Sequence, residues 1–140
     1  MVARRRGLAP LAVALTLAAV EIATVVAVAA PLVKQTSGPL TATLAPSTHT
    51  PKIHKNWPIT VTATVSAKPA HATAAYEFVF GGIVVQTEYP RNNKHFSFTG
   101  HFSDKLNFPA SSLGFTLTLR VVIKAAGHTV NLPCSITSHK

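Results

Sequence analysis

From Trp57 on, the apolar positions recur at every second residue almost everywhere, the period of a strand with one buried face. In WPITVTATV, Trp57, Ile59, Val61, Ala63 and Val65 share one face, with Thr60, Thr62 and Thr64 opposite. In YEFVF, Tyr76, Phe78 and Phe80 point one way. The same alternation puts Phe96, Phe98 and Phe102 inward, then Phe115, Leu117, Leu119, Val121 and Ile123, then Val130, Leu132, Cys134 and Ile136. Pro133 falls on the outward set, which predicts an edge strand, where no ladder donor is needed at that position.

Turn-forming residues separate these runs: Ala67-Lys68-Pro69-Ala70, Gly81-Gly82, Pro90-Arg91-Asn92-Asn93, Asn107-Phe108-Pro109 and Ala126-Gly127. Gly81-Gly82 predicts a tight hairpin out of the Tyr76–Phe80 strand. About seven strands, each with one apolar face, would leave that face wet in a single sheet. The expected fold is therefore all-β, an antiparallel sandwich over residues 51–140. Its aromatic side chains are expected between the sheets, with Trp57 the partner of the Tyr76–Phe80 strand.

Upstream the pattern changes. Arg4, Arg5 and Arg6 precede Leu8 to Val33, whose only charge is Glu21. About 20 apolar residues suffice to cross a hydrocarbon layer of ~30 Å. Residues 8–33 are thus expected to be a transmembrane signal anchor and residues 1–7 a cytoplasmic basic segment. The positive-inside rule then places the rest of the chain outside the cell membrane, in a single-pass arrangement. Ala27-Val28-Ala29 supports the alternative of a cleaved signal peptide and a secreted product. A carboxylate near the centre of a span costs roughly 2.5–3.5 kcal/mol, which the surrounding Ala, Val and Ile offset. Residues 34–50, KQTSGPLTATLAPSTHT, carry no apolar face of size. They are expected to be a Ser/Thr/Pro-rich connector, with at most a short strand at Leu40 to Leu44.

Charge and chemistry narrow the functional classes. The formal charge is +9, and residues 31–140 hold ten Lys and Arg against Glu77, Glu88 and Asp104. Such an excess favours anionic partners, here wall polymers, lipid headgroups or acidic envelope proteins. The exported address argues against nucleic acid. Arg91, Lys94 and His95 form the densest basic cluster and are the candidate contacts to an anionic partner. Acid–base catalysis needs positioned carboxylates or an oriented histidine, and the three acids stand on separate segments. His95 and His101 share a strand face but lie ~20 Å apart at strand rise, too far for one metal. No cofactor, catalytic residue, metal site or small-molecule substrate is expected. Cys134, the only cysteine, can form no disulfide within the chain and is expected to be a buried, reduced hydrophobe.

Tyr76-x-Phe78-x-x-Gly81-Gly82-x-Val84-Val85 resembles the third-strand hairpin of bacterial immunoglobulin-like, PKD-like and fibronectin type III modules. Phe108 to Phe115 resembles the corner before their sixth strand, with Phe115 where many members carry a tyrosine. Trp57-Pro58 and Val61-Thr62-Ala63 are similar to the WP-x-x-VTA stretch of small exported proteins of high-GC Gram-positive bacteria. Those proteins pair an N-terminal anchor with one such domain. The resemblance implies an immunoglobulin-like sandwich of about seven strands behind one N-terminal transmembrane helix. It also implies a non-enzymatic interaction or structural role in the cell envelope. An accessory subunit of an envelope enzyme or transporter is a further alternative.

Overall fold

The computed structural model describes residues 31–88 and 96–140. Residues 1–30, which hold nearly all of the expected span, lie outside the described residues. Among the described residues no helix is long and apolar enough to cross a membrane. The ordered elements among them are ten strands and one 3-10 turn: β1 (Val33–Ser37), β2 (Leu40–Pro46), β3 (Asn56–Val65), β4 (Lys68–Pro69), β5 (His71–Phe80), β6 (Ile83–Glu88), β7 (Phe96–Thr99), β8 (His101–Asn107), β9 (Thr116–Ala125) and β10 (His128–Thr137), with the turn at Ala110–Ser112.

The strands form two antiparallel sheets. One runs β1-β2-β3, with β8 and β4 sharing the other edge of β3; the second runs β10-β9-β5, with β6 and β7 sharing the free edge of β5. Each sheet turns one apolar face to the other. Between them lie Leu40, Leu44, Trp57, Ile59, Val61, Tyr76, Leu119, Val121, Ile123 and Leu132, all at most 2% exposed. Cys134 and Ile136 complete the β10 face as its alternation predicts, and Pro133 is exposed on a terminal strand.

Three stretches of chain change sheets; one of them, between β8 and β9, runs through residues 108–115. Lys68–Pro69 pairs with β3, whereas His71 onward pairs with β5's neighbours β7 and β9. Phe96–Thr99 pairs with β5, whereas His101 onward pairs with β3. These last two switch points are stitched by the backbone: Ala63 N–H donates to Gly100 O at 2.8 Å, Gly100 N–H to Ala70 O at 3.0 Å, and Ala70 N–H to Ala63 O at 3.2 Å. Gly100 adopts φ +74°, and a Cβ there would stand 3.1 Å from Pro69 Cβ, so the corner needs glycine on two counts.

The expected connector is instead part of the fold. Residues 33–46 form β1 and β2, and Leu40, Ala42 and Leu44 are fully buried against the core. Their period-two pattern is that of a half-buried strand, but small Ala42 and the intervening threonines make the apolar face thin on paper. Thr41 and Thr43 take the other face of β2, where the Thr43 and Thr62 hydroxyls meet across β2–β3. Among the described residues the folded body therefore begins at Val33, inside the range expected to span the membrane, and not at residue 51.

Candidate functional site

Phe80 and Phe115 depart from the expected core. They are 47% and 52% exposed, although both sit on inward positions of their runs. The cause is the mismatch in length between the sheets. β8 ends at Asn107, and the chain then turns through Pro109 into the 3-10 turn, while β5 and β6 continue to the Gly81-Gly82 hairpin. Among the described residues no strand of the opposite sheet faces the hairpin, so its inner side opens to solvent.

The result is a cleft of about 480 Å³ at one end of the sandwich. Phe78 and Phe108 form its floor, edge to face at 5.9 Å, and Phe80 and Phe115 form its lip, edge to face at 5.8 Å. Val85 and Leu117 complete the apolar wall, with Gln86, Asn107 and Ser111 at the rim. Phe108 also meets Trp57 edge to face at 5.3 Å, so Phe108 links Trp57 to Phe78 of β5. The Trp57 indole N–H donates to Thr48 O at 2.9 Å.

Polar groups brace the floor. Ser112 Oγ donates to Pro109 O at 2.7 Å, and the Ser138 hydroxyl donates to Ser112 O, with both serines buried. Parallel single-residue pairings tie Lys52 to His139, Ile53 to Phe108 and Leu113 to Ser138, which locks the C-terminus against this end. Among the described residues none that lines the cleft titrates, and those that do line it offer apolar contact, ring stacking and neutral hydrogen bonds.

The ionisable groups of the described residues lie elsewhere. Arg91, Lys94 and His95, the expected anionic contacts, fall outside the described residues. Glu77 is held across β5–β9 by Arg120, whose Nε and Nη2 both reach Oε2 at 2.6 Å. His49 Nδ1 lies 2.8 Å from Ser135 O and 3.6 Å from Cys134 Sγ, which assigns the ring proton to Nδ1. Burial pushes the Cys134 thiol up from the usual 9.0 to about 11, so it is neutral and a poor nucleophile at physiological pH. Among the described residues no three of His, Cys, Asp and Glu gather closely enough to hold a metal ion.

The sequence pattern holds a signal for the cleft that alternation alone misses. Phe80 directly precedes Gly81-Gly82 and Phe115 directly follows Gly114. An aromatic at the last position of an alternating run, beside glycine, lacks a neighbour on one side. Comparison of the chain with family models, curated proteins and solved structures returns no match.

Proposed function

We propose that the chain is a membrane-anchored, extracytoplasmic immunoglobulin-like module that acts by contact, without catalysis, on another component of the cell envelope. The observation that carries this reading is the strand order. Assigned in chain order, β2, β3 and β8 take the places of strands A, B and E, and β10, β9, β5 and β6 those of G, F, C and C′. Phe115 stands where many such modules carry a corner tyrosine, and Ser112 and Ser138 supply the polar ties there. The basic segment and apolar stretch of residues 1–33 support export and anchoring. A non-enzymatic role is supported by a cleft without titratable groups among the described residues and by the engagement of Glu77 with Arg120.

The positive excess of residues 31–140 favours an anionic wall polymer or lipid as partner, with Arg91, Lys94 and His95 as contacts. The test is fractionation of the full chain carrying a C-terminal tag. Expected is a product of full-length mass that pellets with membranes through a carbonate wash and loses its tag to external protease. A shortened product in the medium would favour cleavage after Ala29 and the secreted alternative. A tag protected in intact cells would overturn export altogether.

A further inference from the structure

We propose that the aromatic end of the sandwich docks into the headgroup region of an anionic bilayer, the one that the apolar N-terminal stretch enters. This rests on the anchoring reading above and adds an orientation and a lipid-contacting surface to it. The large apolar side chains exposed among the described residues are Leu32, Phe80, Ile83, Val84, Val85 and Phe115. Phe80, Ile83, Val84, Val85 and Phe115 gather at one end of the molecule, and Leu32 precedes β1, whose chain runs away from that end. Val33 pairs with Leu44 and Leu44 with Val61, so β1 starts level with the middle of β3 and runs away from the end where Trp57 touches Phe108. Phe108 is also the floor of the cleft that Phe80 and Phe115 border. The opposite end, with its hairpins at Gly38, Ala67 and Gly127, exposes none of them.

The second observation is the missing spacer. The apolar stretch of residues 8–33 runs directly into β1, whose first residue is Val33. Whatever holds that stretch therefore holds the sandwich within a few residues of itself, on the side that β1 runs away from. If the stretch spans a bilayer, β1 leads away from it toward the far hairpins, and the exposed aromatics and aliphatics of the open end face the headgroups. Aromatic rings and short apolar tips are the groups that partition there. Lys52, Lys55 and Lys140 are exposed at the same end, as an anionic surface requires. Their attraction acts over a Debye length of ~8 Å at physiological salt, which the absence of a spacer satisfies.

The test uses the full chain in vesicles of phosphatidylcholine and phosphatidylglycerol. Spin labels are placed singly at Ile83→Cys and Phe115→Cys, with Lys68→Cys at the far end as reference; Cys134 is buried, and a Cys134→Ala background repeats each measurement. The collision rate with oxygen, which concentrates in lipid, is compared with that of a water-soluble nickel complex. Expected are several-fold higher oxygen-to-nickel ratios at 83 and 115 than at 68, falling as phosphatidylglycerol is withdrawn. Ratios at 83 and 115 equal to that at 68 overturn the docking while leaving the anchor intact. Labels shielded from both probes also overturn it, because the cleft is then covered by protein, a second copy or the chain's own N-terminal stretch. A chain that washes off the vesicles overturns the anchoring reading, and the docking with it.

Discussion

At the end carrying the Ser37–Leu40, Val65–Lys68 and Ala125–His128 hairpins, the two sheets are closed by backbone: chain segments pass from one sheet to the other and hydrogen bonds through Gly100 seal the corner. At the other end one segment, residues 108–115, also crosses between the sheets, but the sheets differ in length there and aromatic side chains fill the rest of the gap. Backbone closure satisfies polar groups and leaves nothing apolar in water. Side-chain closure works only as far as there are facing residues, and it stops at Phe108. Beyond that point Phe80 and Phe115 pack edge to face with about half of each residue in water. One sandwich thus has a sealed end and an open end, and the open end is the one with chemistry to offer a partner.

The sharpest way to break this comparison is at the floor of the cleft. Phe108 is 3% exposed and packs edge to face on both Trp57 and Phe78. Truncating a buried Phe typically costs ~3–5 kcal/mol, against a total of ~5–15 kcal/mol for a domain. Phe108→Ala is expected to unfold the protein or lower its denaturant midpoint by a large fraction. A midpoint unchanged within error would mean that the floor is not core and that the open end extends further inward.

The interior common to both ends can be probed by pH. The Cys134 thiol is raised from 9.0 to about 11 by burial, so the folded state holds its proton more tightly than the unfolded chain. That contribution is fully present below pH 9 and is lost as pH rises through about 11, because only the unfolded state ionises in between. A shift of this size corresponds to an effect on the order of 2 kcal/mol. Chemical denaturation from pH 8 to 11 should show the wild type losing about that much more than Cys134→Ala, the comparison cancelling lysine and tyrosine titration. Parallel pH profiles would mean that water reaches the thiol.

The sealed end makes a smaller and more local prediction. Gly100→Ala meets Pro69 and also forces an L residue to φ +74°, whereas Gly127→Ala has the same strain, at φ +75°, with open space around it. A left-handed conformation costs an L residue roughly 1–2 kcal/mol. Both variants should lose about that much, and Gly100→Ala measurably more. Equal losses would show that Pro69 yields freely and that the corner is looser than its hydrogen bonds suggest.

What could be seen in the sequence divides along the same line. Period-two alternation located β3, β5, β9 and β10 and placed Trp57, Tyr76, Phe78 and Cys134 between two sheets, because each run has a facing partner over most of its length. It failed at Phe80 and Phe115, since alternation says which side a residue takes and nothing about whether the opposite sheet reaches that far. It failed at Phe108 for the opposite reason. A Phe between Asn107 and Pro109 looks like turn material, yet a single pairing to Ile53 and contacts with two rings draw it into the core. Residues 34–46 were hidden by small side chains: Ala42 buries completely but adds little to any hydrophobic pattern.

The finest distinction concerns the lip itself. Phe80 and Phe115 form an edge-to-face pair at 5.8 Å, with about half of each residue in water. Edge-to-face pairs contribute ≈ 0.5–1.5 kcal/mol beyond area burial when enclosed, and solvent on one side should hold this pair to the bottom of that range. A double-mutant cycle of Phe80→Ala and Phe115→Ala, read by urea denaturation, isolates the coupling from the separate loss of each ring's area. The expected coupling is about 0.5 kcal/mol or less, with single losses well below that of Phe108→Ala. Single losses equal to that of Phe108→Ala would make the lip part of the core, and the two ends would no longer differ in kind. Small losses with near-zero coupling would instead mark two independent apolar side chains, kept in water at little benefit to the fold and free to meet a surface.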